Sequence, residues 1–123
     1  MLYWFRQNNT GGYFCDPAIN VMIEAGSASE ANDLAQKHGV YFNGATNGKD
    51  CGCCGDRWYE VTEGNALNER ELEQLFTNSP TMFGDRVQQS FGQKIKGILI
   101  VGNVSDPSKF IAKDNYLYCT KKS

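Results

Sequence analysis

Apolar and polar positions along this chain change period several times, and each change marks the edge of a short element. Leu2 to Gln7 (LYWFRQ) is rich in aromatics and reads as a first strand. Asn8 to Gly12 (NNTGG) follows with turn chemistry, because Asn and Gly tolerate positive φ and Asn side chains cap backbone groups. Ala18 to Ala25 then alternates Ile19, Val21 and Ile23 against Asn20, Met22 and Glu24. That period of two predicts a half-buried strand, the hairpin partner of the first.

The period next lengthens to that of a helix. Ser27 stands as N-cap with Glu30 three residues on, the reciprocal capping-box pattern. Ala28, Ala31, Leu34, Ala35 and His38 share one face, and Gly39 stops the helix. Val40 to Phe42 is a short apolar return, and a cysteine-rich loop follows it. Arg57 to Thr62 (RWYEVT) reads as a strand, with Trp58 and Glu60 on one face and Tyr59 and Val61 on the other. A second helix is predicted from Asn68 to Phe76, capped by Asn68 and Glu71 and buried through Leu72, Leu75 and Phe76.

Asn78 to Lys94 shows no clear period and reads as irregular and turn-rich. Gly97 to Val101 (GILIV) is an uninterrupted apolar run, the best candidate for a central strand buried on both faces. Asn115 to Thr120 (NYLYCT) reads as a last strand at a sheet edge. The order β-β-α-β-α-β-β predicts an α+β fold, with an antiparallel or mixed sheet of about five strands and two helices on one face. At 123 residues a single domain spanning 1–123 is expected.

Composition narrows the function classes. Hydrophobic residues make up 41% and aromatics 12%, values of an ordinary globular protein. The net charge of −2 and pI near 5.3 disfavour a partner made of polymeric nucleic acid, which calls for a basic face. A small anionic ligand stays open, since two or three arginines suffice for one pocket. No apolar run approaches the ~20 residues of a membrane span. The opening MLYWFRQNN lacks the features of a secretory signal. Five cysteines, an odd number with three of them in one loop, are not a secreted disulfide framework, and a reducing cytoplasm is expected.

That loop, NGKDCGCCGDRWYEV (residues 47 to 61), admits several readings. Cys51 and Cys54 form one C-x-x-C, a spacing at which two thiolates can reach a zinc ion. Completing a site would draw on Cys15, Cys119, His38 or Asp50, because no second knuckle exists, and no metal is assigned. A thioredoxin-like centre opens a helix, whereas this stretch enters a predicted strand. Small Cys and Gly side chains also simply allow a tight loop to pack on its sheet. Alternatively, Gly52 and Gly55 permit an anion nest, with Arg57 and Trp58 supplying a planar cation and an aromatic face for a phosphate and a base.

Nothing else resembles catalytic machinery. His38 is the lone histidine and suits the last turn of a helix. Glu69, Glu71 and Glu73 read as a solvated face. The glycine-rich, metalloprotease and nucleophile-elbow motifs are missing. Neither enzyme activity nor a cofactor is expected. In the long irregular segment, Phe83 is a candidate stacking face and Arg86 a candidate anion contact. Asn8 and Asn9 can offer amides to a ligand, although a plain hairpin turn explains them too.

Two stretches, FRQNNTGG and YFNG…DCGCCGDRWY, carry a family resemblance covering roughly the first half of the chain. They resemble the anti-Thoeris sponge family of small phage proteins. The resemblance implies a protein that binds cyclic nucleotide immune signals, such as cyclic ADP-ribose isomers and, in some members, CBASS cyclic oligonucleotides, without cleaving them. It also implies a homo-oligomer, a dimer or higher, in the cytoplasm of an infected bacterium. Arg57 lies within the matched motif, while Phe83 and Arg86 rest on their chemistry alone. The alternative is a zinc-stabilised phage protein that inhibits a host factor by protein contact, and a small signal-degrading hydrolase is a further rival.

Overall fold

The computed structural model describes residues 1–8, 17–50, 55–78, 87–90, 93–102 and 116–119. Two central strands organise them. β2 (Asn20–Glu24) pairs on one side with β1 (Leu2–Arg6), antiparallel, in the register Tyr3 with Ile23 and Phe5 with Val21. On its other side it runs parallel to β5 (Ile98–Val101), which is parallel in turn to β6 (Tyr116–Cys119). The resulting mixed sheet has the order β1-β2-β5-β6, so the predicted last strand does lie at an edge. The hairpin pairing of the first two strands also holds.

β5 sits between two parallel neighbours and is buried along its whole length, as its continuous apolar run requires. β2 departs from its expected half-buried character. Asn20 and Met22, on the face predicted to be polar, are both fully buried. Asn20 is accommodated because its amide is paired: Oδ1 accepts from Trp4 Nε1 at 2.7 Å and Nδ2 donates to the Gly97 carbonyl at 3.0 Å.

α1 (Ala28–Lys37) begins at the predicted N-cap, with Ser27 Oγ accepting from the Glu30 amide at 3.2 Å. It ends at Gly39, whose φ of +103° is the left-handed conformation expected just beyond a helix. Ala28, Ala31 and Ala35 lie in one cluster with Tyr3, Phe5, Val21, Ile23, Leu99 and Val101. α2 (Glu69–Asn78) carries the full reciprocal cap: the Glu71 amide donates to Asn68 Oδ1 at 2.8 Å, and the Asn68 amide to Glu71 Oε1 at 3.2 Å. Its Leu72 belongs to a second cluster with Leu2, Met22, Ile98 and Ile100.

Residues of alternate parity along β1, β2 and β5 thus supply the two clusters, and the two helices cover opposite faces of the sheet. Placing both helices on one face was incorrect in that detail. Strands apolar on both sides need cover on both sides.

Two further differences concern strands. Residues 57–62 form no strand and join no sheet. Side chains take the hydrogen bonds that a neighbouring strand would have supplied. The Asn32 amide grips both backbone groups of Val61, accepting from its N–H at 2.9 Å and donating to its carbonyl at 3.1 Å. Thr62 N–H donates to Asn65 Oδ1 at 2.8 Å. Conversely, the segment read as irregular contains an antiparallel hairpin of β3 (Val87–Ser90) and β4 (Gln93–Lys96). Its Gln- and Lys-rich sequence hides any alternation from inspection. Among the described residues, no helix is long and apolar enough to cross a membrane.

Candidate functional site around Arg57

The loop after α1 turns on itself so that a carboxylate faces inward. Asn43 adopts φ +59°, and the Lys49 and Asp50 amides both donate to the Gly44 carbonyl, at 2.8 and 3.0 Å. Gly44 is needed at this point, because a Cβ there would run into the Asp50 carboxylate and the Tyr41 ring. The Asp50 side chain is fully shielded from solvent as a result.

Arg57 meets it from the other side of the loop. Its Nε lies 3.5 Å from Asp50 Oδ1, and its own backbone N–H donates to Asp50 Oδ2 at 2.9 Å. Nε also donates to the Tyr41 hydroxyl at 3.1 Å, and that hydroxyl donates to Asp50 Oδ1 at 2.6 Å. Nη1 reaches Gln7 Oε1 at 2.8 Å and the Asn8 carbonyl at 3.5 Å. A residue only 1% exposed thereby has its charge balanced and its donors turned toward protein acceptors.

The partners of Arg57 are themselves held. Gln7 donates from Nε2 to the Ala18 carbonyl at 2.9 Å. Asn8 donates from its backbone to the Arg57 carbonyl at 2.9 Å and from Nδ2 to the Asp56 carbonyl at 3.3 Å. Asp56 Oδ1 accepts from the Ala45 amide at 2.9 Å. Tyr41 packs beneath Lys49, whose Nζ lies 5.0 Å from the ring centroid. Burial, reinforced by the hydrogen bond to Asp50, pushes the Tyr41 hydroxyl up to about 12, with Arg57 opposing.

A smaller polar node ties α1 to the sheet. Glu63 Oε1 accepts from the first amide of the helix, Ala28 N–H, at 2.7 Å, and Oε2 accepts from the Tyr3 hydroxyl at 2.9 Å. The Ala28 bond chiefly, and then the Tyr3 bond, hold the Glu63 carboxyl below its usual range. Burial first, and then Glu63, raise the Tyr3 hydroxyl.

The sequence-derived candidates therefore divide. Asn8 and Arg57 are brought together, in an internal role: both tie the loop to the sheet. Trp58 is 1% exposed, and its ring is packed into the α1-side cluster rather than offered as a stacking face. Its Nε1 finds no acceptor among the described residues. Asn9, Phe83 and Arg86 lie outside the described residues, as do Cys51, Cys53 and Cys54. Among the described residues no three His, Cys, Asp or Glu side chains gather as metal ligands.

Gln7 and Tyr41 were missed, and Asp50 was weighed only as a metal ligand. Gln7 ends a predicted strand and Tyr41 sits in an apolar return, so neither carried a local polar signal. The one available clue was an Arg-Trp pair directly after an acidic, glycine-rich loop.

A family model described as a domain of unknown function (DUF7296) matches residues 1–98. That span includes every residue of the Arg57 network. No curated protein and no solved structure matches the chain.

Proposed function

We propose that this chain, which belongs to the DUF7296 family, is a non-catalytic binding protein that sequesters a small anionic ligand. The resemblance of its FRQNNTGG and DCGCCGDRWY stretches to phage sponge proteins supports cyclic nucleotide immune signals as the ligand class. One observation carries the proposal. The two stretches, some forty residues apart in sequence, are joined into one unit by the Gln7–Arg57, Asn8–Arg57 and Asn8–Asp56 hydrogen bonds. These bonds hold Asn8 and Asp56 in fixed positions within the two stretches, a preorganised base for binding.

Arg57 contributes by fixing the base. Direct contact falls to Asn9, Phe83 and Arg86, with Arg86 as the anion contact and Phe83 as the stacking face. The protein acts in the cytoplasm of the infected cell as a homo-oligomer whose subunits share the ligand.

Sequestration needs nanomolar affinity, on the order of 12 kcal/mol. Isothermal titration against cyclic ADP-ribose isomers and cyclic oligonucleotides tests the reading. Tight binding is expected, with intact ligand recovered by mass spectrometry after the protein is denatured. A panel with no binder, or recovery of cleaved ligand, overturns it.

A further inference from the structure

The chain has two tryptophans, and the structure treats their indole N–H groups differently. Trp4 Nε1 donates to Asn20 at 2.7 Å. Trp58 is only 1% exposed, yet its Nε1 has no acceptor among the described residues. Its neighbour Arg57 shows that the chain does pair polar groups at this place, down to a buried carboxylate. An orphaned donor beside a satisfied network is a cost that phenylalanine would avoid.

We infer that the Trp58 indole N–H is a ligand-binding donor, completed by an acceptor atom of the anionic ligand, a phosphoryl or base-carbonyl oxygen. The inference rests on the sequestration reading and changes what Trp58 does within it. Trp58 belongs to the buried cluster of Tyr3, Phe5 and Val61, so its contribution is the N–H and not an exposed stacking face. A single N–H aimed at an acceptor also gives selectivity, since a ligand lacking that acceptor leaves the donor buried and unpaired.

Two measurements test this with cyclic ADP-ribose and cyclic dinucleotides as probes. The first follows the two indole N–H resonances by ¹H–¹⁵N NMR, with Trp4→Phe assigning them. The Trp58 resonance is expected to move downfield when a probe binds. The second replaces Trp58 with its sulfur isostere benzothienylalanine, which removes the N–H and keeps the shape. Affinity is expected to fall about tenfold or more, while the melting temperature of the ligand-free protein holds or rises.

A probe that binds without moving the resonance, or that binds the isostere equally well, overturns the inference and leaves sequestration standing. A lowered melting temperature of the ligand-free isostere also overturns it, because the donor then has a partner already, from the chain or an internal water. If no probe binds the wild-type protein, sequestration fails first and the inference with it.

Discussion

Ile100 and Arg57 are both buried to within 1% of complete, and they are held by opposite means. Ile100 lies on β5 among Leu2, Met22, Leu72 and Ile98, where water exclusion and close packing stabilise it without any directional partner. Arg57 lies off the sheet, where it is stable only because Asp50, Tyr41, Gln7 and Asn8 each present an acceptor at the right place. The sheet core therefore tolerates substitution by shape, and the Arg57 network tolerates very little. A core of this kind makes a domain; a network of this kind fixes one loop in one position.

The largest effect should come from breaking the network on one side. Arg57→Ala leaves the Asp50 carboxylate buried without its cation, at a cost of about 3–5 kcal/mol in urea unfolding. Replacing both partners, Arg57→Met with Asp50→Leu, should cost less than the single change, since no charge is then stranded. Equal or greater loss in the double variant would show that the network works through shape after all.

Ile100→Ala in the sheet core should cost about 2–5 kcal/mol, from lost burial plus the cavity left behind. No polar replacement at that site should recover it. A loss under about 1 kcal/mol would mean that the two faces of the sheet are not closed by the helices as described.

Helix capping sits lower on the scale. Asn68→Ala removes the acceptor for the Glu71 amide at the start of α2 and should cost about 1 kcal/mol. Asn68→Asp should recover most of it, a result that separates capping from mere propensity.

The smallest effect is a pH dependence at Glu63. Its folded-state pKa is lowered from 4.5 by the Ala28 and Tyr3 bonds, so the unfolded chain takes up a proton first. The contact's stabilisation is then present above about pH 4.5 and is lost as pH falls through the lower folded value. The melting temperature of the wild type should decline over that range more steeply than that of Glu63→Gln. Parallel curves would remove Glu63 as the link between α1 and the sheet.

How much of this was legible in the sequence follows the same division. Both helices, their caps at Ser27 and Asn68, the β1–β2 hairpin, the central run of β5 and the edge position of β6 were readable, because each is written in neighbouring residues. The Arg57 to Thr62 strand was misread for a physical reason. Its aromatic and β-branched residues suit a strand, but Asn32, Asn65 and Asp50 side chains satisfy its backbone from elsewhere in the chain. The β3–β4 hairpin was missed because its strands are polar. The internal partners of Arg57 were not legible, because a sequence cannot show which carboxylate an arginine will meet.

By itself, the sequence determined the elements, the balance of charge and the two stretches that set the family resemblance. Period and capping are local, and a few residues suffice to state them. Only the tertiary structure decided that the helices take opposite faces, that Gln7 and Asn8 meet Arg57, and that Trp58 is buried with a donor that finds no acceptor among the described residues. Those outcomes depend on contacts between residues tens of positions apart, where the cost of an unpaired buried group selects the arrangement.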